Sequence, residues 1–108
     1  MALDVGSLSS AMINAGQGLG GSLWNQMQSF ALPELKKIAI QIVSIEENAD
    51  QFTPGGAKAL LDMQINATVG VIVAMTTLTL LDVQEAINAI LRAVEGVVNK
   101  AIGFALIA

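Results

Sequence analysis

The residues with the clearest chemical pattern are Gly16-Gln17-Gly18-Leu19-Gly20-Gly21, which match the G-x-G-x-x-G spacing of a dinucleotide-binding turn. In such a turn the glycines let the backbone approach a pyrophosphate, which requires a strand before them and a helix after them in a βαβ unit. Nothing before Gly16 reads as a strand, so these glycines are expected to form a flexible or tightly packed arm. Gly16 and Gly20 also fit GxxxG, but no apolar 20-mer surrounds them. Glu46, Glu47 and Asp50 offer oxygen donors for a hard cation, yet their spacing matches no cation-binding loop and reads as a solvated helix end. Hydrolysis by paired carboxylates needs two acids across a cleft lined for a sugar, and one Trp with no Tyr gives that little support. Asn66-Ala67-Thr68 fits the glycosylation triplet but falls in an apolar helical stretch, where it reads as coincidence.

The absent residue types exclude more. The 108 residues contain no His, no Cys and no Tyr, which removes thiolate chemistry, disulfides, imidazole acid–base work and the usual zinc ligand sets together. Net charge is −4 with five basic residues dispersed along the chain, so no electrostatic footprint for nucleic acid is present. We therefore expect no enzyme, no cofactor, no metal, no small-molecule substrate and no nucleic-acid partner. Apolar residues make up 54% and charged residues 13%. The charged share is about half the usual 25%, too small to cover an ordinary soluble monomer, so apolar surface should meet another chain or lipid. The first residues carry Asp4 where a secretory signal would carry Lys or Arg, so no cleaved signal is expected.

These groups must be positioned by helices. The fold class expected is all-α: a helical hairpin or bundle of about three helices (residues 23–108), preceded by a Gly/Ser-rich N-terminal arm (residues 1–22) that is flexible or held by a partner. Trp24, Met27 and Phe30 stand at helical spacing, the chain is expected to turn near Leu32, and Pro33 opens a fresh helix at the first-turn position that proline tolerates. Leu35, Ile38, Ala39, Ile42, Ile45 and Ala49 form its apolar stripe and Lys37, Gln41, Ser44 and Asn48 its polar side, with an end near Asp50. Thr53-Pro54 is an N-cap and first-turn pair for the next helix, on which Lys58 and Asp62 stand four apart. Residues 63–81 are uncharged, about the ~20 residues that span a bilayer, but include Gln64, Asn66 and four threonines. The β-branched run within them also suits a buried strand; helix is preferred because no partner strand exists elsewhere.

The most regular pattern comes last. Asp82-Val83-Gln84-Glu85 has the form of a capping box. After it, Val83, Ile87, Ile90, Val94, Val97, Ala101 and Phe104 alternate by four and three, with Glu85, Asn88, Arg92, Glu95 and Asn99 as the polar stripe. Gly96 and Gly103 repeat at seven residues beside this seam, where another backbone could approach closely. These nine apolar and glycine positions are the expected interface, and a homo-oligomer or other structural proteins the expected partners.

The apolar helix ending in Glu46-Glu47, the turn Pro54-Gly55-Gly56-Ala57-Lys58, the long apolar helix and the amphipathic helix opened by Asp82 with Asn99 near its end resemble small helical proteins of tailed bacteriophages, holin-like or virion-associated. The likeness covers about two thirds of the chain. It departs from the holin pattern, which has a clean transmembrane span and a basic C-terminal tail. The resemblance implies a structural or assembly component of a tail, portal or ejection apparatus, located in a virion or assembled particle. The alternatives are a holin-like or pore-forming protein of the bacterial inner membrane and a soluble helical adaptor.

Overall fold

The described residues form four helices and one short 3-10 turn at Ala49–Gln51: α1 Val5–Gln17, α2 Gly21–Glu47, α3 Pro54–Met75 and α4 Leu80–Ile102. The computed structural model describes residues 3–107, with no strand among them; residues 1 and 2 of the expected arm and residue 108 of the expected bundle lie outside the described residues. Short connections at 18–20, 48–53 and 76–79 make successive helices antiparallel neighbours, and α1 closes the ring by packing against α4. The longest dimension, 40 Å, is the length of the 27-residue α2 at about 1.5 Å per residue.

Three of the four helices, α1, α3 and α4, start where a side chain can accept a free backbone N–H, whereas α2 starts after Gly20 without one. The Asp4 carboxylate accepts from the Ser7 N–H at 2.7 Å, a bond that lowers the pKa of this exposed acid. Thr53 Oγ1 accepts from the Gly56 N–H at 2.9 Å ahead of Pro54. Thr79 Oγ1 accepts from the Asp82 N–H at 3.1 Å, so the cap of α4 is Thr79. This corrects the expectation that Asp82 caps that helix: Asp82 lies in its first turn, where its charge complements the helix dipole.

The core draws on all four helices. Leu8 and Met12 from α1, Trp24 to Ile45 along α2 at three- and four-residue steps, Leu61, Val69 and Ile72 from α3, and Val83 to Val98 along α4 are all buried in one cluster. The segment expected as a flexible or partner-held arm is thus largely a helix packed within its own chain. Its propensity is low, but Leu8, Met12 and Gly16 recur at four-residue steps, and burying that stripe between α2 and α4 compensates for the weak local preference.

The expected turn near Leu32 is also corrected, because α2 runs through Pro33 without interruption. Proline removes one helical N–H and normally disrupts a helix interior. Here Pro33 and Ser29, whose carbonyl loses its bond, are both on the exposed side, where water can satisfy it. Ala31, Leu35 and Ile38 on the other side are fully buried and hold the helix together.

The Gly-rich motif forms the corner between α1 and α2. Gly20 (φ 70°) and Gly21 (φ 65°) adopt left-handed backbone that other residues avoid. Gly16 lies against the Trp24 ring so closely that a Cβ would run into it.

Candidate functional site

The seam expected to bind a partner is largely occupied by the chain itself. Val83, Ile87, Ile90 and Val94 are buried in the core, facing the other helices of the bundle. Their 4,3 spacing is real, but the missing partner helices are α1, α2 and α3. Ala101 and Phe104 are half-buried, with Phe104 packed against the core. Val97 alone in that row points outward, at 57% exposure. Neither glycine makes a close contact: Gly96 faces open space, and Gly103 (φ 95°) ends α4 in the left-handed C-cap that glycine favours. A tight contact at a glycine is found instead at Gly16, against the Trp24 side chain.

The unpartnered apolar surface lies elsewhere, on α3 and at the α3–α4 corner. Met63 is 68% and Leu81 62% exposed, and Val71, Met75 and Leu80 accompany them. Between them along α3 the outward residues Ala67, Gly70 and Ala74 are small and uncharged. No charge interrupts residues 63–81, and the polar residues exposed in that run are Asn66, Thr77 and Thr79. The signal was in the sequence as that uncharged run, but which side of α3 stays open depends on how α2 and α4 cover it.

Beside this surface, α3, α4 and the C-terminal segment enclose a cleft of about 180 Å³. Leu61, Ile65, Leu91, Leu106 and Ile107 supply apolar walls, and Lys58, Asp62, Asn88 and Arg92 stand at its rim. Two of the chain's five basic residues thus meet at one opening. Neither has an ion-pair partner among the described residues, where the single salt bridge joins Lys37 Nζ to the buried Glu34 at 2.8 Å. The cleft carries no nucleophile–base pair, and its volume is well below the ~300–1,000 Å³ of ordinary small-molecule pockets. It fits a side chain.

Asn99 holds two residues of the cleft wall, Leu106 and Ile107. Its Oδ1 accepts from the Leu106 and Ile107 N–H groups, both at 2.9 Å, and its Nδ2 donates to the Ile107 carbonyl at 2.8 Å. Residues 104–107 are folded back over α4 by this one side chain, with Leu106 and Ile107 buried. The sequence pattern placed Asn99 on the solvated stripe, since a return of the chain after a C-capping glycine leaves no periodic signal. At the other acidic candidate, Glu46 Oε1 accepts from the Leu3 N–H at 2.6 Å and tethers the start of the chain to the end of α2. Among the described residues no three carboxylates converge into a group able to hold a metal ion. No family model, curated protein or solved structure matches the chain.

Proposed function

We propose that this protein is a non-catalytic structural or assembly component, held in a larger particle through the apolar surface of its α3–α4 hairpin. The observation that carries the reading is that Met63, Val71, Met75, Leu80 and Leu81 are exposed together on α3 and the α3–α4 corner, whereas Leu19, Ile40 and Val97 are exposed singly elsewhere. The resemblance noted in the sequence makes a phage-type particle the setting we favour, with other copies or other structural proteins as partners. Size-exclusion chromatography with light scattering tests it: soluble oligomers that dissociate when Met63 and Met75 are replaced by Lys support assembly, and an invariant monomer up to 100-fold dilution or concentration refutes it.

A second reading rests on α3 itself. This 22-residue helix is long and apolar enough to cross a membrane, and 22% of its most apolar stretch is buried within the bundle. Holin-like insertion at the bacterial inner membrane would then use the same surface. Co-sedimentation with lipid vesicles, together with loss of solubility without detergent, favours this second reading over the first.

A further inference from the structure

We propose that a second copy of the chain docks antiparallel along α4, beside this surface, so that Leu81 of each copy fills the cleft of the other. This rests on the assembly reading above and names its contact.

Leu81, Glu85, Asn88 and Arg92 follow one another at steps of four, three and four along α4, and all are exposed. They form one stripe with an apolar knob at its start and the cleft at its end. Leu81 and Arg92 are eleven positions apart, about 16 Å at the helical rise. Two such stripes laid antiparallel about an axis between Glu85 and Asn88 bring each Leu81 opposite the other copy's Arg92, beside the cleft. The contact is isologous: every knob meets a cleft, both at once, as two-fold pairs require.

Size and charge both favour this occupant. A cleft of about 180 Å³ with apolar walls takes a branched aliphatic side chain and leaves a larger molecule outside. At the knob, Asp82 and Glu85 flank Leu81; at the cleft, Lys58 and Arg92, neither in an ion pair among the described residues, outnumber the rim acid Asp62. In the antiparallel register Asp82 projects onto Leu91 and Arg92 of the other copy, and Glu85 onto Asn88. Acid therefore meets base at both ends, while the two Glu85 stand about 4.5 Å apart along the axis beside the two-fold.

The absence of native cysteine makes the register directly testable. Leu81→Cys and Arg92→Cys chains, mixed and mildly oxidised, should cross-link to a disulfide dimer, while Leu81→Cys alone should not, its two thiols lying about 16 Å apart along the axis. Leu81→Ser and Arg92→Glu should each weaken dimerisation at least tenfold, and Asp82→Lys combined with Arg92→Glu should recover most of the loss. Circular dichroism of each variant checks that the bundle stays folded. Wild-type dimerisation in Leu81→Ser and Arg92→Glu would overturn the proposal while leaving assembly through α3 in place. A wild type that is monomeric throughout, or that pairs only with lipid or an unrelated chain, would overturn it as well. Cross-linking of Leu81→Cys alone would refute the register.

Discussion

Replacing Asn99 by Ala should release the C-terminal segment and cost the bundle about 2 kcal/mol. The magnitude follows from the docked segment. Burying Leu106 and Ile107 contributes about 1.5–3 kcal/mol each, and fixing residues 104–107 costs about 1–2 kcal/mol per residue. These terms nearly cancel, so the three bonds from Asn99, at about 0.5–1.5 kcal/mol each, decide whether the segment docks. Once they are gone the segment is free to fray, and the loss cannot exceed what docking contributed. Urea unfolding at equilibrium gives the stability change, and amide exchange at Leu106 and Ile107 reports release. A chain ending at Gly103 supplies the control: there Asn99→Ala should cost less than about 0.5 kcal/mol, because its partners are already absent. Asn99→Asp keeps the acceptor for two N–H groups and loses the donor to Ile107, so its cost should be intermediate. An equal penalty for Asn99→Ala in the full and shortened chains would refute the clasp and locate the role of Asn99 within α4 itself.

Thr68 is fully buried on α3 with its hydroxyl unpaired, so Thr68→Val should raise stability by about 1 kcal/mol in the same urea assay. Gly16→Ala should destabilise by about 1–3 kcal/mol, because the added methyl meets the Trp24 ring. Gly96→Ala, into open space, should stabilise by up to about 1 kcal/mol through helix propensity; thermal melts of the two variants should therefore shift in opposite directions. Ile90→Asp or Val94→Asp should unfold the monomer, seen as loss of the helical circular dichroism signal, because these side chains lie in the chain's own core.

Much of this fold is local and was legible as such. The stripe from Leu35 to Ile45, the Thr53-Pro54 start of α3 and the 4,3 row from Val83 to Val94 depend on side chains three or four positions apart. Helical geometry turns that spacing into a face without help from the rest of the chain. The uncharged run at 63–81 and the missing His, Cys and Tyr likewise bounded the chemistry from residue types alone. Tertiary structure decided the identity of each face's neighbour. A regular apolar seam has the same period whether it packs on another copy or on helices of its own chain, and only the placement of α1, α2 and α3 around α4 made Ile87 and Ile90 part of the core. The same burial made a helix of a glycine-rich segment and carried α2 through Pro33, because free energy gained at one face outweighs a local preference of about 1 kcal/mol per residue for Gly and about 3 for Pro. Asn99 and the cleft were beyond reach of periodicity for a related reason: both depend on residues 104–107 returning over α4, a contact between segments whose sequence spacing follows no helical repeat.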